Sequence, residues 1–183
     1  TGEFFHPVGN LDEKEALESF RAQARALAGG GVDLLLIETM SDLREAITAL
    51  RAAREVTDLP VAVELTFQRK RGGYFTIMGN TPQESLEALK REGADMAGAN
   101  CTLDSDGMRE LAEVMVQLTD LPLLFQPNAG QPVMKEGRAV YLQEPEEFAS
   151  HMAEIAELGA DAVGGCCGTS PGFIRALRAR LER

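Results

Sequence analysis

Hydrophobic and polar positions follow two periods along the 183-residue chain, and the two periods take turns. Six stretches, 12–28, 42–55, 82–92, 106–118, 145–158 and 171–182, carry apolar residues three and four apart. That is the spacing of one face of an α-helix. Leu17, Phe20, Ala24 and Leu27 show it in the first stretch. Thr81-Pro82-Gln83-Glu84 supplies an N-cap Thr, a Pro at the first helical position and a Glu three residues after the cap, which is a capping box. Ser170-Pro171 opens the last helix in a similar way. Between the helices lie five short apolar runs: Val32–Ile37, Val61–Phe67, Asp95–Ala99, Pro122–Phe125 and Asp161–Val163. They are nearly continuous rather than alternating, as strands covered on both faces should be. Strands alternating with helices predict right-handed βαβ units and one parallel sheet.

The joints leading from helix into strand are of two kinds. Gly31-Val32-Asp33, Gly93-Ala94-Asp95 and Gly159-Ala160-Asp161 form one, with Gly suited to the left-handed turn that ends a helix. Thr57-Asp58-Leu59-Pro60 and Thr119-Asp120-Leu121-Pro122 form the other, with Pro stopping the helix and starting the strand. Their alternation fits a (β/α) barrel, in which alternate strands occupy equivalent places; reuse of common turn chemistry gives the same pattern. The joints after strands are longer. Residues 68–80 and 127–144 are rich in Gly, Pro, Asn and charge and are expected as loops on the active-site side, at the carboxyl ends of the strands.

Composition narrows the function classes. Hydrophobic residues make up 44% of the chain and charged residues 26%, ordinary for a globular domain, and no apolar run approaches a membrane span. A net charge of −11 argues against a nucleic-acid partner, which requires a basic face. Thr1-Gly2-Glu3 opens the chain without Met and without a secretory signal pattern, as expected of a chain processed or cut from something longer. The three cysteines are odd in number and two are adjacent, which argues against a disulfide framework and for a reducing, cytoplasmic setting.

Those cysteines are the main candidate chemistry. Cys101 closes the run from Asp95, and Cys166 and Cys167 close the run from Asp161, so all three should reach one rim of the sheet. Three thiolates make a Zn²⁺ site with an open fourth position, the catalytic arrangement. Glycines around the pair allow the sharp turn that points both side chains at one ion. Two plainer readings stand beside this one: phosphate cradled by the glycine run at the start of the last helix, and cysteines serving only as small buried residues. His6, in an N-terminal loop, and His151, inside a helix beside charged residues, are not expected as ligands.

At these residues the sequence resembles the homocysteine S-methyltransferase family. Gly164-Gly165-Cys166-Cys167-Gly168-Thr169 is similar to that family's signature for two zinc ligands, and Ala99-Asn100-Cys101 to the strand end that brings the third. Leu35-Leu36-Ile37-Glu38-Thr39-Met40 resembles a segment whose Glu lies near the substrate. Gln126-Pro127-Asn128-Ala129-Gly130-Gln131-Pro132, extended by Gly137-Arg138-Ala139-Val140-Tyr141, is similar to a loop of the cobalamin-dependent methionine synthases. Homocysteine methyltransferases fused to a methylenetetrahydrofolate reductase share that loop.

The resemblance runs the length of the chain and implies a fold and a reaction. The fold is α/β: the C-terminal five βα units of a (β/α)8 TIM barrel, with the first three strands absent from this chain. Residues 1–183 then form one partial homocysteine-binding barrel domain. The absent part includes a first-strand acidic residue that helps hold the substrate's amino group in the family. The reaction is zinc-dependent methyl transfer to homocysteine, giving methionine. Methylcobalamin is the implied donor, and cobalamin and folate domains of the full-length protein are the implied partners. Cys101, Cys166 and Cys167 would ligate zinc. Asn128 would occupy the fourth position when substrate is absent, or else simply stabilise its turn. Glu38 and Thr39 would lie at the substrate, with a salt bridge as the plainer role for Glu38. A barrel fragment that holds zinc without turnover and an unrelated phosphate-binding barrel enzyme are the alternatives from other classes. An open sheet also leaves Val32–Ile37 as an edge strand, so the isolated chain is expected to aggregate or to be completed by another polypeptide or a second copy.

Overall fold

The computed structural model describes residues 1–182. In chain order the elements are α1 (Glu13–Gly29), β1 (Leu35–Met40), α2 (Leu43–Arg54), β2 (Val61–Leu65), β3 (Gln68–Lys70), β4 (Gly73–Phe75), α3 (Pro82–Arg91), β5 (Met96–Asp104), α4 (Ser105–Met115), β6 (Leu123–Asn128), β7 (Val133–Lys135), β8 (Arg138–Val140), α5 (Pro145–Glu157), β9 (Ala162–Val163) and α6 (Pro171–Leu181). Five strands form one parallel sheet in the order β1-β2-β5-β6-β9, each strand beside its predecessor in that list. This is the succession of strands in a (β/α) barrel, of which the chain supplies five βα units and two free edges, β1 and β9.

Every helix begins within about a residue of its expected start, and the two named start signals, at Thr81 and Ser170, both cap their helices. The capping box is complete: Thr81 accepts from the Glu84 N–H, and Glu84 accepts from the Thr81 N–H. Asp12, Asp42, Asp104 and Ser170 cap four other helices. Two joints of each kind prove to be partners across the sheet. The carboxylate of Asp95 accepts the N–H of Val61, the first residue after Pro60, at 2.8 Å. Asp161 accepts the N–H of Leu123, the first after Pro122, at 2.9 Å. Each Gly-Ala-Asp joint therefore latches the neighbouring strand that starts with Pro. Gly93 and Gly159 make this possible by adopting φ of 86° and 111°.

The sheet has two distinct faces. Val61, Val63, Leu65, Ala97, Ala99, Leu123 and Phe125 join the helix residues Leu50, Leu89, Met108, Met115, Phe148 and Ile155 in one buried cluster. Residues of a strand alternate sides. Ala62, Glu64, Gly98, Asn100, Leu124, Gln126 and Asn128 therefore line the opposite, inner face, which in a barrel is the face around the axis.

Four expectations about boundaries are corrected. The first strand is Leu35–Met40 rather than Val32–Ile37, because its ladder starts only where β2 starts after Pro60, with Leu35 opposite Val61. β5 does not end at Ala99 or at Cys101 but continues to Asp104 through a bulge at Cys101 and Thr102. β9 is only two residues long. The stretches 68–80 and 127–144 are not plain loops, since each carries an antiparallel hairpin, β3–β4 and β7–β8. Three-residue strands are too short to show alternation. Glu136-Gly137, both at positive φ, makes the tight turn of the second hairpin.

Candidate metal centre at the strand ends

The inner face ends at a cluster of thiols. Cys101 Sγ lies 2.9 Å from Cys166 Sγ and 3.5 Å from Cys167 Sγ, and all three sulfurs fall within 4.8 Å of one another. Sulfurs around one tetrahedral zinc sit about 3.8 Å apart, given Zn–S near 2.3 Å. The cluster thus has the size, the donor chemistry and the number of ligands for zinc with one open position. Cys167 is exposed and the other two half-buried, so the site opens on one side. Burial, and then the hydrogen bonds that the Cys101 thiol makes to its two neighbouring sulfurs, push Cys101 up to about 12. Three sulfurs this close cannot all be thiolates without a cation among them; a divalent ion reverses that cost.

Each cysteine is placed by a local device. Cys101 and Thr102 hold φ of 55° and 57°, the left-handed region that non-glycine residues rarely adopt. The bulge turns the Cys101 thiol toward the rim. A matching kink occurs in β1, where Thr39 has φ of 62°. Asn100, fully buried, joins the two. Its Oδ1 accepts from the Thr39 N–H at 2.8 Å, and its Nδ2 donates to Thr39 Oγ1 at 2.7 Å and to Cys166 Sγ at 3.7 Å. Cys166 and Cys167 run alongside the end of β6: the Cys166 N–H donates to the Pro127 carbonyl, and Cys167 O accepts from the Ala129 N–H. Gly168, at φ 81°, leaves room for the Tyr141 ring, because a Cβ there would fall 2.2 Å from Tyr141 Cγ.

Most N–H groups of the glycine run are already taken. The N–H groups of Gly164, Cys166, Cys167 and Thr169 already donate to Phe125 O, Pro127 O, Asn128 Oδ1 and Cys166 O. An anion cradle needs such groups free.

The other expected site residues fall around this cluster. Asn128 is buried and its Oδ1 accepts from the Cys167 N–H at 3.1 Å, so it shapes the cysteine turn. Glu38 and Thr39 are exposed on β1 and line a pocket with Thr1, Gly2, Met40 and Ser41. Glu38 takes part in no ion pair among the described residues; its charge acts instead on Glu64. Neither histidine belongs to the cluster. His151 Nδ1 is 2.8 Å from Ser105 Oγ, which also accepts from Gln143 Nε2, a tie between α4, α5 and the loop before α5.

Sequence reading missed three residues. Asn100 was visible only as part of a motif, with no sign of its role between two kinks. Glu64 and Gln126 sit in β2 and β6 on the inner face, and a charged residue in the otherwise apolar run Val61–Phe67 was the available signal for the first.

Comparison with known proteins agrees with this geometry. The family described as homocysteine S-methyltransferase matches residues 1–181. Methionine synthase of Mycobacterium leprae is 31% identical over 182 residues, 96% of this chain. That of Mycobacterium tuberculosis is 30% identical over 180 residues, 95% of this chain. The chain spans 15% of the length of each. Among solved structures, the apo form of the homocysteine methyltransferase MmuM from Escherichia coli superposes with a TM-score of 0.75 at 23% identity, covering 93% of this chain and 58% of that one. Its metallated form gives 0.71 at 24% identity, covering 90% and 52%. At that identity the likeness is one of fold. No helix among the described residues is long and apolar enough to cross a membrane.

Proposed function

Since the chain belongs to the homocysteine S-methyltransferase family, we propose that it carries the zinc site at which homocysteine is activated for methylation to methionine. The observation that carries this reading is the convergence of three thiols within 4.8 Å at the carboxyl ends of two strands. Cys101, Cys166 and Cys167 are the metal ligands. Zinc, when bound, supplies the charge that holds the homocysteine sulfur as a thiolate, the nucleophile, at neutral pH.

The chain's own residues do the rest. The bulge at Cys101 and the turn before Gly168 fix the three sulfurs in advance, so little is reorganised on binding. Asn128 supplies the fourth donor in the absence of substrate; an amide oxygen has two lone pairs and can keep the Cys167 N–H while donating to a metal. Glu38 receives the substrate's ammonium, and Thr39, anchored by Asn100, shapes the wall beside it. The methyl donor is methylcobalamin, as the likeness of residues 126–132 to a loop of the cobalamin-dependent methionine synthases implies, and a further domain holds it, in keeping with the greater length of the relatives. The setting is cytoplasmic, where the thiols stay reduced.

X-ray absorption at the zinc edge tests the assignment. Zinc in the purified protein should show three sulfur neighbours at about 2.3 Å and one lighter atom. Homocysteine should replace the lighter atom with a fourth sulfur. An unchanged sulfur count with saturating homocysteine would remove substrate ligation from the reading.

A further inference from the structure

Below the thiols, the inner face carries polar atoms that nothing satisfies. Glu64 is fully buried, and neither of its carboxyl oxygens has a hydrogen-bond partner; Oε1 of Gln126 is buried and unpartnered as well. The strands make deliberate room for both side chains. Glu64 stands opposite Gly98 in the ladder, and a Cβ on Gly98 would lie 3.3 Å from Glu64 Cγ and 1.9 Å from the Leu124 carbonyl oxygen. A Cβ on Gly164 would lie 3.3 Å from Gln126 Cγ. Barrel interiors are filled in layers by side chains from alternate strands, usually branched and apolar. Here the alternate strands β2 and β6 contribute acceptors, and β5 and the run after β9 contribute glycines. A Leu in place of Glu64 would fill the same space without an orphaned buried carboxyl, which destabilises the fold.

The charge around Glu64 points to what those acceptors await. On β1 the facing charge is Glu38; on β5 and β6 the neighbours Gly98, Leu124 and Gln126 carry none. Burial first, and the Glu38 carboxylate second, push Glu64 up to about 8, so the pair holds a proton at neutral pH. A cationic donor placed between the two carboxyls would satisfy both.

We propose that Glu64 is a second recognition residue for the amino-acid end of the substrate, forming with Glu38 a two-carboxyl receptor whose proton is displaced by the substrate's α-ammonium. This rests on the reading of the site as a homocysteine site and deepens it. The ammonium keeps its three hydrogens, the proton leaves Glu64 for solvent, and no substrate bond changes. Recognition then depends on the amino group, separately from the sulfur.

The test uses two thiols on the zinc-loaded protein: homocysteine, and 4-mercaptobutanoate, which lacks only the amino group. Infrared difference spectra should show a protonated carboxyl signal turning into carboxylate with homocysteine and not with 4-mercaptobutanoate. Glu64→Gln should remove that signal and weaken homocysteine binding about tenfold to a hundredfold, the effect of one charge-assisted hydrogen bond. It should leave zinc content and 4-mercaptobutanoate affinity unchanged. Equal weakening of both thiols, or of neither, overturns the proposal, as does an unchanged carboxyl signal in the parent protein, which needs no variant to fold. If neither thiol binds the zinc-loaded parent, the homocysteine site itself fails and this inference with it. If both bind without discrimination, only this inference fails.

Discussion

The two ends of the parallel strands are built on opposite terms. At the amino end the joints close on one another: Pro60 and Pro122 precede strands, and Asp95 and Asp161 latch the first N–H of each. At the carboxyl end strain and unmet valence collect. All four non-glycine residues with positive φ among the described residues lie on that side: Thr39, Cys101, Thr102 and Glu136. Such residues cost on the order of 1–3 kcal/mol each. The same side crowds three thiols together and buries Glu64 without a partner. One end of the sheet specifies the fold, and the other gives up stability to hold a prearranged site, the division expected of a (β/α) barrel.

The sharpest way to break this contrast is to remove a ligand. Cys166→Ala should abolish tight zinc binding, because two thiols and an amide are a poor set for the ion. Metal analysis of the purified variant should fall from about one zinc per chain toward none. Retention of zinc at the parent's level would show that the cluster is not the site. Urea unfolding of the metal-free variant should match the metal-free parent, since Cys166 is only half-buried.

What was legible in the sequence follows the same division. The amino-end devices are local and written in residue types that have few other uses: Gly-Ala-Asp and Leu-Pro. Helices and strand order were therefore readable, and so was the meeting of Cys101 with Cys166 and Cys167, because strand ends in a parallel sheet share a rim. The carboxyl end was not readable in detail. No glycine marks the left-handed bulge at Cys101 and Thr102, and the double role of Asn100 needs β1 and β5 side by side. Glu64 resembled any strand carboxylate until Gly98 and Gly164 showed that its layer is polar.

Glu64 gives the next largest effect, and its sign is fixed. An ordinary carboxyl ionises near 4.5, whereas folded Glu64 ionises at about 8. Between those values the native state keeps a proton that the unfolded chain has lost. Stability therefore falls as pH rises through the window, by roughly 3–5 kcal/mol in all, and the loss is complete above it. Glu64→Gln does not titrate, so its urea-unfolding stability should be nearly flat from about pH 5 to about pH 8 and should exceed the parent's at the upper end. Parallel slopes for the two proteins would mean that Glu64 is ionised in the fold.

Asn100→Ala should cost less, about 2 kcal/mol, because it releases the Thr39 N–H and hydroxyl from a buried amide. It should also loosen both kinks, so zinc affinity should fall while the stoichiometry of saturated protein stays the same. Competition with a chromophoric chelator reads the affinity. Lowered stability with unchanged affinity would confine Asn100 to a packing role.

The smallest effect tests the other end. Asp161 accepts the Leu123 N–H at 2.9 Å, and its side chain takes part in no ion pair among the described residues, unlike Asp95, which Arg54 engages. Asp161→Ala removes one hydrogen bond and leaves the N–H of a buried strand residue without its acceptor, at a cost of about 1 kcal/mol. Water reaches the exposed joint and replaces part of the bond, which keeps the cost from being larger. Asp161→Asn retains an acceptor oxygen at the same position and should recover most of the loss, showing that the latch works by geometry rather than by charge. Neither variant should alter zinc content or homocysteine affinity, because β6 and β9 remain paired through Leu124 and Phe125. Urea unfolding of the three proteins at one pH, with zinc analysis alongside, measures both parts. If Asp161→Ala lowers zinc affinity as much as Asn100→Ala does, the two ends of the strands are energetically coupled and the contrast between them does not hold.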